Sequence, residues 1–373
     1  MTQPDVPYFF PSLKLTILAD NDYYSQPKSS MPLPRFNNLG VPIFEAHKTG
    51  LGSSAALVTS LTACLLSTYS KDGTPLDFSV ESNRKLIHNL AQASHCLAQG
   101  KIGSGFDIAA AVFGSCVYQR FSPDILKPLQ CGEKEECNPN DFAPKLVQIV
   151  LSEWDFTISK IRLPRGIRLV MGDVDCGSST PGMVRHMFAW RNAQGPQANK
   201  VWEAVDEENQ GLIYLFRELS LIAAEAAPED YARALQTLAE TKNGFTFQQG
   251  VENVAIMVLR QLRGRILSIR KSMREMGEAA GVPIEPPSQM RLLDYLSTEC
   301  PGVIGGVVPG AGGYDAVALL VADNEQVVNG IKEKLKSYKF EGEERVGDGR
   351  VEILGAREEH EGVRTENLEQ YGL

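Results

Sequence analysis

No run of about 18 consecutive apolar residues occurs in this chain, so a membrane-spanning helix is not expected. Positive charge is in deficit. Lys and Arg total 37 against 46 Asp and Glu, and the net charge of −9 argues against a nucleic-acid partner, which would want a basic face. Met1 to Phe10 carries no basic segment followed by an apolar core, so it does not read as a secretory signal. No His lies near Cys131 and Cys137, and their spacing does not suit zinc. The seven cysteines (Cys64, Cys96, Cys116, Cys131, Cys137, Cys176, Cys300) are odd in number and mostly among apolar neighbours. Free, buried thiols in a reducing compartment are expected.

What is present is enough apolar material for sizeable cores. The chain is 43% hydrophobic over 373 residues, which suits a globular protein of two domains. The most informative stretch is Lys48-Thr49-Gly50-Leu51-Gly52-Ser53-Ser54-Ala55-Ala56, which runs straight into the helical pattern Leu57, Leu61, Cys64, Leu65. A glycine-rich loop opening a helix leaves backbone N–H groups bare beside the positive end of the helix dipole, a seat for a phosphate. Ser53 and Ser54 can cap that helix, and their hydroxyls can reach a metal riding on the phosphate. The plainer reading is a Ser-capped helix behind a Gly turn. The stretch is not a Walker loop, because no Gly-Lys-Ser/Thr follows at the required spacing.

Along the chain, Leu13–Ala19 reads as a strand and 20–40 as a Pro-rich loop. Helices are predicted over about 53–68 and 82–99, the second with Leu86, Leu90 and Leu97 near one face and stopped by Gly100. A short helix beginning near Asp107 runs to Phe113, and Val117–Phe121 reads as a strand. Residues 123–143 read as an acidic surface excursion. Ile167–Val174 is a strong strand. Thr180 as cap and Pro181 at the first helical position then start a helix. Residues 199–279 are almost wholly helical, with breaks near Pro228 and Asn243-Gly244. Val303–Val308 and Ala316–Ala322 are strands, Asn324–Ser337 a helix and Val351–Leu354 an edge strand. A helix-rich middle between two mixed parts makes this an α+β protein.

Three small-residue loops, 50–56, 103–107 and 309–313, invite a shared polyphosphate pocket, because a Cβ would block close approach of backbone to a charged ligand. Asp107 is the candidate catalytic carboxylate, unless it only completes a capping arrangement with Ser104. Lys101 could neutralise phosphate oxygens, or be a solvated charge at a helix end. His95 and Gln99, one turn apart, could point toward Asp107, but a lone His on a helix is more often structural. Arg185, with Ser178, Ser179 and Thr180 at its helix start, makes a candidate second anion site, against the reading of a surface Arg. The basic run Arg260, Arg263, Arg265, Arg270, Lys271, Arg274 is expected to be a solvated helix face.

These motifs carry a resemblance. Lys48–Ala55 resembles the second motif of the GHMP small-molecule kinases, and Pro309-Gly310-Ala311-Gly312-Gly313-Tyr314-Asp315 their third. Gly103–Ala109, Gly305–Asp315, Met171–Val174, Thr180–Arg185 and Val282-Pro283-Ile284-Glu285-Pro286 are most similar to the phosphomevalonate kinase family, in its fungal form. The likeness covers nearly the whole chain. It implies a two-domain GHMP kinase fold, with a ribosomal S5-like N-terminal domain over 1–165 and a ferredoxin-like C-terminal domain with a helical insertion over 166–373. It implies a cytoplasmic enzyme that uses ATP and Mg²⁺ to convert 5-phosphomevalonate to 5-diphosphomevalonate in the mevalonate route to isoprenoids and sterols. By carry-over, Lys48, Gly50, Leu51, Gly52, Ser53, Ser54 and Ala55 would wrap the ATP phosphates, with Ser54 touching Mg²⁺. Asp107 would be the catalytic aspartate, with Lys101 beside it. Ser104, Gly105, Ser178, Thr180, Arg185, Gly310, Ala311, Gly312 and Gly313 would hold the transferring group and acceptor.

Two departures stand out. The family's first motif, of the type Pro-Gly-Lys-Val-Leu-Leu-x-Gly-Gly-Tyr, has no counterpart here. The expectation is therefore a fragment, a misassigned start or a shortened paralogue, with an N-terminally truncated first domain. Ser179 also stands where an acidic residue is expected. The competing reading is a catalytically impaired or non-catalytic relative that senses nucleotide or metabolite, with another GHMP kinase, for mevalonate or a sugar, as a third. The oligomeric state is left open.

Overall fold

The structure, a computed structural model, describes residues 12–26, 33–42, 45–70, 73–130, 138–174, 180–225, 228–242, 253–340 and 350–371. It divides into two compact units, Met1–Leu51 and Gly52–Leu373.

In the first unit the described residues are held by hydrogen bonds between loops. Tyr24 and Lys48 form an isolated antiparallel bridge. Beside it the Ser25 N–H donates to His47 O (2.9 Å) and the Thr49 N–H to Tyr23 O (3.3 Å). The strand expected over Leu13–Ala19 is not there. Alternation stabilises a strand only where a neighbour pairs with it and one face is buried. Leu13, Leu15 and Ile17, which would share one face, are 42%, 48% and 61% exposed.

The second unit starts with helices α1 (Ser53–Thr68), α2 (Glu81–Gln99) and α3 (Phe106–Phe113), the antiparallel pair β1 (Cys116–Gln119) and β2 (Thr157–Lys160), and between these α4 (Pro139–Leu151). Small residues let α1, α2 and α3 approach closely: Ala55, Ala63, Ala91 and Ala109 join Ile87, Ile108, Val112 and Phe113 in one core, with Tyr118, Phe156 and Ile158 of the sheet side against it. The opposite face of α2 packs Ala93 and Cys96 on Phe121, Leu126, Leu129, Val150 and Trp154. This corrects the reading of 123–143 as a surface excursion. Two short 3-10 turns, Pro123–Ile125 and Lys127–Leu129, drive Leu126 and Leu129 inward, and α4 begins at Pro139. Cys64 is exposed and not buried as expected, whereas Cys96 and Cys300 are buried.

The second half is built on a four-stranded antiparallel sheet in the order β4-β5-β3-β6, with β3 Ile167–Val174, β4 Val303–Val307, β5 Ala316–Ala322 and β6 Val351–Ile353. β6 is the edge strand predicted there. β5 is buried along nearly its whole length, as an apolar run covered on both faces must be. The cover comes from α6 (Pro196–Glu225), α7 (Pro228–Glu240), α8 (Val254–Ala280), α9 (Pro287–Glu299) and α10 (Glu325–Ser337), while α5 (Thr180–Gln194) packs on α6 and α8. The Asn243-Gly244 break lies outside the described residues. A C-terminal segment returns to the end of α3, where the Ser115 N–H donates to Glu359 O (2.7 Å) and the Val363 N–H to Val112 O (3.2 Å). Among the described residues no helix is long and apolar enough to cross a membrane.

His88 of α2 is fully buried, its ring 4.3 Å from that of Phe156 and 5.9 Å from that of Trp154. Burial pushes its pKa down to about 4, only partly opposed by the hydrogen bond to Asn89 Oδ1. Between pH 6.5 and about 4 the unfolded chain protonates this ring and the folded chain does not. Folding stability should therefore fall by about 3 kcal/mol across that window and be unaffected by His88 above it. Denaturant unfolding of the wild-type chain and of His88→Phe at pH 7.5 and 4.5 checks this. Equal acid slopes in the two chains would contradict it.

Candidate active site

Two helix starts form the centre of the site. The N-caps of α1 and α3 are Gly52 and Gly105, both in the left-handed conformation (φ 74° and 85°), and neither helix has a side-chain cap. Glycine is the residue that adopts this conformation without strain. A glycine N-cap offers no side-chain oxygen to the first N–H groups of its helix, although in α3 the Ile108 N–H is taken by Asp107 Oδ1; amides left open there are the condition for seating an anion. This corrects two sequence readings. Ser53 and Ser54 lie inside the first turn of α1 and do not cap it, and at α3 the N-cap is Gly105 and not Ser104, while Asp107 takes the Ile108 N–H from within the first turn.

The two starts lie together. A Cβ built on Gly52 would stand 3.6 Å from Asp107 Cβ. His95, buried on α2, spans them: its Nε2 is 3.1 Å from Ser54 Oγ and 2.8 Å from Gln99 Nε2, and its Nδ1 is 3.8 Å from Asp107 Oδ2. The Gln99 amide N–H donates to Nε2, which assigns the neutral ring its proton on Nδ1, facing the carboxylate. Asp107 Oδ1 accepts from the Ile108 N–H at 3.0 Å, and the carboxylate is 25% exposed, open enough to meet a ligand.

The loop before α3 is held from behind. Arg120 donates to the carbonyls of Ile102 (3.1 Å) and Gly103 (2.8 Å), and the Tyr118 hydroxyl to that of Ser104 (3.3 Å). Burial pushes the Tyr118 phenol up to about 12, so it stays a donor at any working pH. Gly105 has no room for a side chain, since a Cβ would meet Tyr118 Oη at 2.7 Å and Gln92 Oε1 at 2.8 Å. The loop's carbonyls are thus occupied, while Gly105, the N-cap of α3, gives no side-chain hydrogen bond to the helix.

The other predicted residues are distributed as follows. Ala55 is buried in the helical core. Lys101 is exposed, and its N–H closes the C-terminus of α2 by donating to Cys96 O (3.1 Å). Lys48 and Gly50 are exposed and Leu51 is half-buried, all three in the first unit. Arg185 is exposed on α5. Thr180 starts that helix, and Ser178 and Ser179 lie outside the described residues. Gly310, Ala311, Gly312 and Gly313 form the turn between β4 and β5. The Gly313 N–H donates to Ile284 O (2.9 Å) and Gln289 Nε2 to Tyr314 O (2.7 Å).

The structure therefore brings Gly52, Ser54, Gly105 and Asp107 together, and rests the 310–313 turn on the 284–289 segment. Sequence reading had noticed the His95–Gln99 spacing without giving it a role. Gln92, Tyr118, Arg120 and Gln289 have no place in that reading, and Ile284 figures there only within a family-like motif; their partners are distant in sequence. The basic run of α8 is a solvated face only in part, at Arg260 and Lys271. Arg270 is 2% exposed and bonded to Glu285, and Arg263, half-buried, donates to Ile304 O at 2.9 Å.

As to metal, among the described residues no cluster of three or more His, Cys, Asp or Glu side chains could hold an ion. The oxygens at hand are the Ser54 hydroxyl and the Asp107 carboxylate. That fits Mg²⁺, which takes one or two protein oxygens and completes its shell from phosphates and water.

Comparison with known proteins places this geometry in a family. Residues 38–115 match the model of the GHMP kinases N terminal domain and 258–339 that of the GHMP kinases C terminal domain. The chain is 41% identical to a phosphomevalonate kinase of Aspergillus fumigatus, over 97% of this chain and 70% of that protein. It is 42% identical to one of Gibberella zeae, over 96% of this chain and 71% of that protein. Among solved structures, a Lin0012 protein from Listeria innocua shares the fold, with a TM-score of 0.54 and 20% identity over 83% of this chain and 70% of that one. The glycine-capped helix starts lie within the first matched model and the turn between β4 and β5 within the second, and by its identity to these relatives the chain belongs to the phosphomevalonate kinases, within the GHMP kinases.

Proposed function

We propose that the chain transfers the γ-phosphoryl group of ATP to 5-phosphomevalonate, giving ADP and 5-diphosphomevalonate in the mevalonate route to isoprenoids and sterols. The observation that carries the reading is the meeting of two glycine-capped helix starts with Ser54 and Asp107, spanned by His95. That arrangement suits a triphosphate, which needs converging N–H donors and a nearby hard oxygen for its metal. In this reading Gly52 to Ala55, with Lys48, Gly50 and Leu51 before them, cradle the ATP phosphates. The turn Gly310–Gly313, with Ser104 and Gly105, steadies the group in flight and the acceptor, while Ser178, Thr180 and Arg185 take the acceptor's own phosphate. The domain boundary proposed near residue 165 is supported by the two family models falling on either side of it. The cytoplasm is the compartment that the family resemblance implies.

The chemistry asks little of a base. The acceptor is a phosphate with a second pKa of about 6, so its oxygen is mostly ionised at neutral pH. Bound Mg²⁺ would supply charge neutralisation to the phosphate oxygens. Ser54 would hold that ion, its hydroxyl oriented by His95. Asp107 would orient the ion or Lys101 and not abstract a proton, and His95 Nδ1–H would keep the carboxylate in place.

Two outcomes are expected. ADP release by the chain as given should be supported by 5-phosphomevalonate and not by mevalonate, in a coupled assay. Turnover of mevalonate instead would reject the acceptor assignment, and no turnover with either would favour a non-catalytic relative. Asp107→Asn should lower kcat by about 100-fold or more. The defect should stay nearly constant from pH 6 to 8.5, because the acceptor titrates alike in both chains. A defect that grew sharply as pH fell would mean that Asp107 accepts the proton.

A further inference from the structure

Within the turn between β4 and β5 the Gly312 N–H donates to Pro309 O at 3.3 Å. The turn's firm contacts come from the stretch that leaves α8. There the chain reverses sharply: Gly281 caps the helix, the Val282 N–H donates back to Gly277 O (2.8 Å) and the Ile284 N–H to Val282 O (2.8 Å). The Ile284 carbonyl then takes the Gly313 N–H. Gly312, at φ 84°, lies so close that a Cβ would overlap the Ile284 carbonyl and come within 2.6 Å of its Cα. Four residues after Glu285, Gln289 holds the Tyr314 carbonyl.

What fixes this stretch is Glu285, the neighbour of Ile284. Its side chain is 2% exposed. Arg270 presents Nε at 3.0 and 3.1 Å and Nη2 at 2.7 Å to the carboxylate, and Arg274, one turn further along α8, adds Nη1 at 2.7 Å. Arg270 is itself tied to Asp294 (2.7 Å) and to the Met290 carbonyl (3.3 Å) of α9. Burial alone would lower the Arg270 pKa, but the bonds and charges of Glu285 and Asp294 raise it, so the guanidinium keeps its charge. A carboxylate held by several directed N–H donors cannot slide or rotate. The adjacent Ile284 carbonyl inherits that fixity.

We propose that Arg270, Glu285 and Arg274 are positioning residues for phosphoryl transfer: they set the Ile284 platform, and through it the Gly312–Gly313 backbone that meets the transferring group. The role rests on the kinase reading above. The plainer alternative is that the pair merely stabilises the reversal between α8 and α9.

The experiment compares the wild-type chain of 373 residues with Arg274→Met, Arg274→Lys, Glu285→Gln and a control, Leu335→Ala, which thins the core at α10. Arg274 is 30% exposed and gives one bond to Glu285, so Arg274→Met is the variant expected to fold, and it decides the question if Glu285→Gln does not. Amide hydrogen exchange over 309–315 should quicken by about tenfold in Arg274→Met. Its kcat should fall by roughly tenfold, with KM for ATP within about twofold, because a displaced turn costs alignment and not ground-state binding. Arg274→Lys should restore most of both. Leu335→Ala should lose Tm without either change. Wild-type exchange and kcat in a folded Arg274→Met chain would overturn the proposal, as would the same changes in Leu335→Ala. If the wild-type chain does not turn over 5-phosphomevalonate, the kinase reading fails, while the exchange measurement still decides whether the ion pair holds the turn.

Discussion

Bare backbone amides are the constraint around which this protein is arranged. A helix start that is to hold an anion must not be capped by its own side chains, and backbone that approaches phosphate closely must do without Cβ atoms. Glycine meets both needs, yet a glycine-rich turn has high conformational freedom and few contacts of its own. Its shape must come from outside. At the starts of α1 and α3 the outside support is α2, with Tyr118 and Arg120 of the β1 region. At the turn between β4 and β5 it is the segment from Val282 to Gln289.

The burial of α2 follows from this. A helix packed on both of its main faces would ordinarily be apolar all round, but α2 buries His88, Asn89, Gln92 and His95. Each limits how the helix can rotate. Asn89 donates to the Val150 carbonyl at 3.0 Å, His88 is enclosed by aromatic rings, and Gln92 lies against Gly105. With the rotation fixed, His95 can only face Ser54 and Asp107. A buried amide left without its partner costs about 1–3 kcal/mol, which disfavours any rotation that breaks the bond of Asn89 to Val150.

Features that depend on local rules were visible in the sequence. The glycine loops, the helix over 53–68, the Gly100 stop, the strand over 167–174 and the edge strand near 351 all rest on neighbours within a few residues. The failures share the opposite property. Leu13–Ala19 alternates, but alternation stabilises nothing until another strand pairs with it. Leu126 and Leu129 were read as surface because acidic residues and prolines surround them, whereas two 3-10 turns bury them. Arg270 and Arg274 have the spacing of any solvated helical stripe. What distinguishes them is Glu285, which reaches them only after the chain reverses beyond α8. His95 is similar: its spacing to Gln99 was plain, but Ser54 stands 41 positions away.

Why an ion pair should sit beneath the 312–313 backbone, and not an apolar contact, can be argued from energetics. Removing one partner of a buried pair costs about 3–5 kcal/mol, but exchanging the whole pair for well-packed apolar residues is often neutral or even stabilising. Stability is thus a poor reason for Arg270 and Glu285 to be where they are. An apolar contact is non-directional and tolerates small slips of the surfaces it joins. A carboxylate with several N–H donors on it does not, because each bond weakens steeply as its angle departs from linear. The difference matters little in the middle of a core. It matters beside Ile284, where a slip of a few tenths of an ångström would press the backbone of Gly312 or open the Gly313 hydrogen bond. The charge pair is the kind of contact that a turn without side chains would need behind it.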